Sequence, residues 1–206
     1  MDACCSSRAV AASVAASMMG QGLDIEPALV VSYPIEPYKV DGYRFGQFVR
    51  SRVILFARHL GDDIIAPAKT PVRAVADGRV VWSEVRPGTE ERRNWGGIVI
   101  LAHKHKDTGH VFYTVYGHVT AIAVQKGDSV SRGQVVAAVA AGSTPQNGWW
   151  KQAHLHFGVY AGPWTGKVLP GYFRPFEGRT KVRWWEDPGP FLTQYGLAPT
   201  DSRMNT

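Results

Sequence analysis

Apolar and polar residues alternate over short stretches of this chain, and glycine or proline interrupts them every few residues. Alternation with a period of two is typical of β-strands that bury one face. Within residues 64–82 it predicts two short strands joined by a tight turn at Asp77-Gly78. Further strands are predicted over 52–56, 97–103, 110–117, 153–160 and 180–185, and a terminal turn of helix follows the last of them.

Composition supports a mostly β fold. The chain of 206 residues is 45% hydrophobic and 11% aromatic, and it contains 22 glycines and 13 prolines, a combination that favours short strands and turns over long helices. We predict an N-terminal extension over 1–50, one domain over 51–192 and a C-terminal tail over 193–206 that is frayed from residue 198. Residues 1–20 match a secretion signal poorly, because Asp2 lies in the region that should be basic. We predict a frayed or weakly helical extension there, with a weak signal or a pro-segment as the alternatives.

Charge and cysteine content exclude several classes of protein. The net charge is +6, but the basic residues are scattered, so we predict no nucleic-acid partner. Cys4 and Cys5 are adjacent and close no useful loop, which excludes a disulfide framework. No apolar run is long enough to cross a membrane, and we predict a monomer without a membrane span.

Two histidines occupy alternate positions in one predicted strand. His154 and His156 lie in an apolar run, and residues two apart in a strand point to the same face. A metal ion bound to one imidazole would leave the other free to act on a water molecule. A half-buried strand can also carry two histidines for structural reasons, so this motif alone leaves both interpretations open.

A second candidate group follows the strand predicted over 52–56. Gly61 lets the backbone curl, so His59 and Asp63 can converge, and an imidazole with a carboxylate is a suitable pair of zinc ligands. The alternative is a solvated surface turn. His118 follows an apolar strand, at the kind of position where functional loops begin.

Other histidines and aromatic residues are assigned differently. His103, His105 and His110 fall in a lysine-rich turn, and we predict that they form a solvated hairpin tip. Trp149 and Trp150 lie in the loop before the HxH strand, where they either wall a substrate cleft or pack the loop down. The predicted substrate groove consists of three aromatic residues: Trp149, Trp150 and Tyr116.

Three motifs in order resemble the lysostaphin-type zinc endopeptidases, which cleave bacterial peptidoglycan. They are His59 to Ile64 with the Pro-containing segment after it, Tyr116-Gly117-His118-Val119, and His154-Leu155-His156-Phe157. The resemblance covers about residues 53–192. It implies an antiparallel β domain of the duplicated-hybrid-motif type, here with an N-terminal extension and a tryptophan-rich C-terminal segment.

The resemblance also implies roles for individual residues. One zinc ion per chain would be held by His59, Asp63 and His156, and His118 and His154 would be the catalytic pair. The implied activity is hydrolysis of peptide bonds in peptidoglycan stem or cross-bridge peptides by metal-activated water. It also implies action outside the cytoplasm, in the cell envelope or after secretion.

Three features of the sequence depart from the family pattern. Lys69 stands where glycine is common, Gln152-Ala153 precedes the HxH motif in place of Gly and a small residue or Pro, and Trp149-Trp150 is an addition.

Two other functions are alternatives to the endopeptidase. One is a catalytically inert LytM-type adaptor that binds and activates a cell-wall amidase. The other is a phosphocarrier domain with two facing histidines, but that function gives His59 and Asp63 no role.

Overall fold

The structure is a computed structural model that describes residues 25, 27–28, 30–49 and 57–196. The predicted signal region over 1–20, the strand predicted over 52–56 and the end of the tail from 197 onward lie outside the described residues. The mostly β class is confirmed, since strands dominate the described part of the chain and nearly all of them pair antiparallel.

The described residues form thirteen strands, one short 3-10 helix at Val182–Trp184 and one α-helix, α1, at Pro188–Tyr195. The strands are β1 (Pro27–Ala28), β2 (Phe48–Val49), β3 (Ala57–His59), β4 (Asp62–Ile65), β5 (Pro71–Arg73), β6 (Gly78–Arg86), β7 (Gly96–His105), β8 (Val111–Thr120), β9 (Ser129–Val130), β10 (Val135–Val139), β11 (His154–Tyr160), β12 (Tyr172–Phe173) and β13 (Trp185–Glu186).

The central sheet runs in the order β13, β11, β8, β7, β6, β9. β4 also pairs with β11, β10 pairs with both β5 and β8, and a small second sheet consists of β12, β3 and β2. β5 and β6 flank the predicted turn at Asp77-Gly78 but pair with different strands, so this segment is not a hairpin. The reason lies in Val75 between them, whose carbonyl accepts from Ser32 N and whose N–H donates to the Tyr116 hydroxyl.

Both faces of the central sheet are covered by apolar side chains. On β7, Val99 and Leu101 join the larger apolar cluster. Ile98 and Ile100 alternate with them and join a second cluster on the opposite face, which the tryptophan-rich C-terminal segment helps to seal. β7 is therefore buried on both sides, which explains why it is an almost continuous apolar run.

A β-bulge interrupts β8 near its end. The pairing with β7 skips His118, because Gly97 pairs with Val119 and the next residue of β7 pairs with Gly117. Tyr116 before the bulge and Val119 after it join the same cluster although they are three residues apart, as expected when an extra residue reverses the alternation. The strand predicted to end at residue 117 thus continues beyond it, and its bulge turns the His118 side chain.

Residues before the second sheet are part of the folded unit. Val31 and Ile35 are buried in the larger cluster, and the N–H of Arg73 donates to the Pro34 carbonyl at 2.9 Å. At the other end of the chain, α1 is capped by the Asp187 side chain and buries Leu192 against the same cluster. The described part of the predicted extension therefore packs on the core.

The predicted hairpin tip is wrong for His103. Its side chain is fully buried, with Nδ1 2.8 Å from the Asp77 carbonyl and Nε2 2.8 Å from the Thr114 hydroxyl. A carbonyl only accepts, so Nδ1 carries the proton and Nε2 accepts from Thr114. β7 and β8 run past this point before the chain turns, so only His105, half-buried, and the exposed His110 lie at the tip.

We expect replacement of His103 by glutamine to reduce the pH dependence of stability. Burial lowers the pKa of His103 to about 4, so between about pH 4 and 6.5 the unfolded chain binds more protons than the folded chain. The free energy of unfolding should then fall as the pH drops, by about 2 kcal/mol from this group between pH 7 and 5. Urea denaturation of both proteins at the two pH values measures the difference, and equal slopes would contradict the assignment.

Candidate active site

His59 and Asp63 are brought together by the tight connection between β3 and β4. Gly61 lies in this connection, and a Cβ atom there would clash with the Phe157 carbonyl and the His156 ring. Only glycine lets the connection approach β11 so closely. As a result His59 Nε2 lies 3.2 Å from Asp63 Oδ1.

The register of β4 against β11 supplies the third member of the cluster. His156 pairs directly with Asp63 across the two antiparallel strands, although they are 93 positions apart in sequence. Its Nδ1 atom is 3.0 Å from Asp63 Oδ1. One ligand atom from each of His59, Asp63 and His156 therefore lies within 4.8 Å of the other two, and all three residues are buried.

The donor set fits a zinc ion. Ligands about 2.0–2.1 Å from a tetrahedral ion are roughly 3.3 Å apart, close to the two separations from Asp63 Oδ1. Both ring nitrogens of His59 are buried without a hydrogen-bond partner, a costly arrangement that a metal at Nε2 would relieve for one of them. The three residues predicted from sequence to bind zinc are thus placed together.

The protonation states also suit a cation site. Burial alone would raise the pKa of Asp63, but the hydrogen bond from His156 and the positive charge that His59 and His156 carry when protonated outweigh it and hold that pKa well below its ordinary value. Burial lowers the pKa of His156. An ionised carboxylate and a neutral imidazole are the forms that bind zinc.

His118 and His154 form a second pair beside this cluster. Their ring centroids are 4.6 Å apart, and His154 Nε2 is 4.0 Å from Asp63 Oδ2. His154 Nδ1 donates to the Gln152 carbonyl at 2.8 Å, which leaves Nε2 without a proton in the neutral ring. Burial and the neighbouring His154 and His156 lower the pKa of His118 well below its ordinary value, so its ring is neutral.

Backbone strain accompanies the placement of His118. At the bulge its φ is +62°, in the left-handed region that non-glycine residues rarely adopt. Such a conformation costs about 1–3 kcal/mol and persists only where the surroundings fix it. Here the N–H of His118 donates to the Trp95 carbonyl at 3.2 Å, and its own carbonyl accepts from the N–H of Ala140 at 3.0 Å.

A further layer of contacts holds the β3–β4 connection. Asp62 accepts from the Tyr38 hydroxyl at 2.8 Å and from the N–H of Phe45 at 3.0 Å. The N–H of Asp63 donates to the Tyr43 carbonyl at 2.8 Å. Burial, with the adjacent Asp62 carboxylate, raises the pKa of Tyr38 far above its ordinary value, so it remains a donor. Residues 38–45 therefore fix the backbone that carries Asp63.

The three predicted groove residues have different positions. Trp150 is half-buried, and its ring centroid is 5.8 Å from His118 and 6.4 Å from His154. Trp149 is half-buried in the same loop, with a φ of +66°. Tyr116 is fully buried, and its hydroxyl is used by the Val75 N–H, so its assignment to the groove is corrected. It lies on the core side of β8, two residues before the extra residue of the bulge, His118.

Two aromatic residues at the site were missed by the sequence analysis. Trp95 lies 4.9 Å from the His156 ring and 5.6 Å from the His118 ring, and its Nε1 donates to the Leu169 carbonyl at 3.1 Å. Tyr172 pairs with His59 across β12 and β3, with ring centroids 5.3 Å apart. Trp95 ends a polar loop and Tyr172 follows a glycine, and neither belongs to a motif that could have identified it.

Two of the departures noted in the sequence have structural explanations. Lys69 has a φ of +72°, the conformation that glycine adopts without strain. Gln152 contacts His154 through its backbone carbonyl, which every residue type can supply. Neither departure removes a group from the cluster.

Comparison with known proteins was consistent with these motifs. The sequence model described as "Peptidase family M23" matches residues 57–168, more than half of the chain. The peptidoglycan DD-endopeptidase ShyA of Vibrio cholerae is 34% identical over 101 residues, which cover 49% of this chain and 20% of ShyA. The glycyl-glycine endopeptidase ALE-1 of Staphylococcus capitis is 28% identical over 169 residues, which cover 80% of this chain and 37% of ALE-1.

A solved structure of a zinc-containing peptidase from Vibrio cholerae superposes with a TM-score of 0.50 and 27% identity, over 63% of this chain and 36% of that chain. The chain spans well under two thirds of the length of each of these relatives. Among the described residues, no helix is long and apolar enough to cross a membrane.

Proposed function

Since this chain belongs to peptidase family M23, we propose that it is a zinc-dependent endopeptidase that hydrolyses peptide bonds in peptidoglycan stem or cross-bridge peptides. The observation that carries the proposal is the direct pairing of His156 with Asp63, which completes a buried three-ligand cluster with His59. The two relatives named above are described as endopeptidases, one of peptidoglycan and one of glycyl-glycine bonds.

In this proposal one zinc ion is held by His59, Asp63 and His156. When bound, it supplies a Lewis acid that polarises the scissile carbonyl and lowers the pKa of a water molecule to about 7. Because only three protein groups would hold the ion, the site would have the open character of catalytic rather than structural zinc sites.

The two remaining histidines, His154 and His118, accept the proton of the attacking water and stabilise the negative charge that develops on the oxyanion. His154 presents an unprotonated Nε2 toward Asp63, because its Nδ1–H is committed to the Gln152 carbonyl, so it can accept a proton from the attacking water. His118 packs against the His154 ring and is positioned to share that proton or to donate to the oxyanion. Neither role requires a glutamate base.

Zinc content and hydrolysis together test this function. The purified chain should contain one zinc ion and release dye from labelled peptidoglycan, and chelation should stop the release until zinc is restored. Stoichiometric zinc without turnover would favour the inert adaptor that activates an amidase.

Peptidoglycan lies outside the cytoplasm, so we also propose extracytoplasmic action. A monomer remains our prediction, and light scattering tests it.

Asn147 is expected to act as a positioning residue for His154. It is fully buried, and its amide donates at 3.3 Å to the Gln152 carbonyl, the same oxygen that accepts the His154 Nδ1–H. Losing this bond should let the carbonyl move and weaken the preference for the Nδ1–H tautomer. We expect Asn147→Ala to lower kcat about 10-fold with little change in KM, which corresponds to roughly 1.4 kcal/mol.

The control is Gln146→Ala, which removes the exposed amide side chain of the preceding residue and should leave kcat unchanged. A purely structural role would lower the melting temperature without altering the His154 ring, so nitrogen NMR of that ring is the second readout. An unchanged His154 tautomer in Asn147→Ala would rule out the positioning role.

A further inference from the structure

An arginine is held beside the catalytic pair by an aromatic contact. The Arg93 guanidinium carbon lies 5.1 Å from the centroid of the Trp150 ring. The same ring is 5.8 Å from the His118 ring, and its Nε1 donates to the Asn94 carbonyl at 3.3 Å. The Trp150 indole thus lies close to both the Arg93 guanidinium and the His118 ring, at a distance where a cation–π contact is favourable.

The loop that carries Arg93 is fastened to the loop before the HxH strand. The N–H of Asn94 donates to the Gly148 carbonyl at 3.2 Å, and the N–H of Gly97 donates to the Gln146 carbonyl at 2.8 Å. These backbone bonds on either side of Trp95 do not depend on side-chain rotamers. They hold the backbone next to Arg93 against the loop that carries Trp150.

The charge of Arg93 is not neutralised within the described part of the chain, where its side chain is exposed and forms no ion pair or hydrogen bond. Asp63 belongs to the metal cluster, and Glu177 pairs with Arg174.

We propose that this enzyme selects peptides that carry a free carboxylate near the scissile bond, and that Arg93 is the residue that determines this specificity. The inference rests on the proposed endopeptidase function and narrows its substrate. A guanidinium presents paired donors that match both oxygens of a carboxylate. A bridge made only of glycine has no side-chain charge for Arg93 to bind, whereas stem peptides with free carboxylates do.

The test uses three substrates. Two are forms of the same cross-linked stem peptide, one with its carboxylates free and one with those groups amidated. The third is a pentaglycine peptide. Binding is measured by calorimetry on the zinc-free full chain, which cannot turn over, and kcat/KM is measured on the zinc-loaded chain. We expect the free-acid form to bind at least 5-fold more tightly than the amidated form and to be cleaved with at least 5-fold higher kcat/KM.

Arg93→Gln should reduce both ratios to about one, mainly by weakening binding of the free-acid form, and added salt should reduce them in the wild type. Arg132→Gln makes the same charge change at an exposed turn whose neighbours lie outside the site, and it should keep the wild-type ratios.

Equal binding of the two forms, or tighter binding of pentaglycine, would overturn the inference. Preferential binding of the free-acid form that is lost in Arg93→Gln, but without cleavage of any peptide, would support the inference and contradict the proposed catalytic function. The two failures are therefore distinguishable.

Discussion

Replacing Asp63 by alanine should abolish zinc binding and lower kcat/KM by about 1,000-fold or more. Asp63 supplies the only carboxylate of the cluster, and its Oδ1 atom lies within 3.2 Å of a nitrogen of both His59 and His156. Without it, two buried imidazoles face each other with no group to balance the charge of the ion. Zinc analysis of the purified variant and peptide hydrolysis measure the two effects.

Two controls separate this loss from misfolding. Asp63→Asn keeps the shape of the side chain and should keep the fold, as judged by circular dichroism, while losing most of the zinc affinity because the amide carries no charge. His105→Ala removes a half-buried histidine at the hairpin tip and should change neither zinc content nor turnover. Full zinc occupancy in Asp63→Ala would refute the ligand assignment.

His154→Ala should keep its zinc and lose about 1,000-fold in kcat, within the range typical for loss of a general base. The reason is geometric, since His154 points its Nε2 toward Asp63 from 4.0 Å but holds its other nitrogen on the Gln152 carbonyl. It lies next to the cluster without being needed to complete it.

The measurement pairs zinc titration with single-turnover kinetics, so that binding and chemistry are observed separately. His154→Gln serves as the matched variant, because it fills much of the same space and should show the same pattern. Equal loss of zinc from His154→Ala and Asp63→Ala would mean that the ligand and catalytic roles are misassigned.

The sequence was informative where a function depends on short spacing. The HxH spacing predicted a strand and one shared face for its histidines, and β11 has that form. The three ordered motifs predicted which residues would meet. The register that places His156 opposite Asp63 could not be derived from periodicity, because it depends on a pairing between strands 93 positions apart.

The errors have a common physical cause. A strand in the middle of a sheet is covered on both faces, so alternation no longer tells which side chains reach the surface. Tyr116 and His103 were both assigned to exposed positions, and both are buried beneath neighbouring strands. The bulge at His118 adds a second difficulty, because one extra residue reverses the alternation of buried and exposed side chains. No residue type near His118 predicts a bulge at this position.

The contacts of Asp62 bear on how small a working fragment can be. Its two oxygens are used by donors from Tyr38 and Phe45, both upstream of residue 57, where the family match begins. A protein engineer who trimmed the chain to the matched residues would leave the Asp62 carboxylate buried without either donor, next to the proposed metal ligand Asp63. A fragment of this protein that is to be fused to another protein should therefore begin before Tyr38.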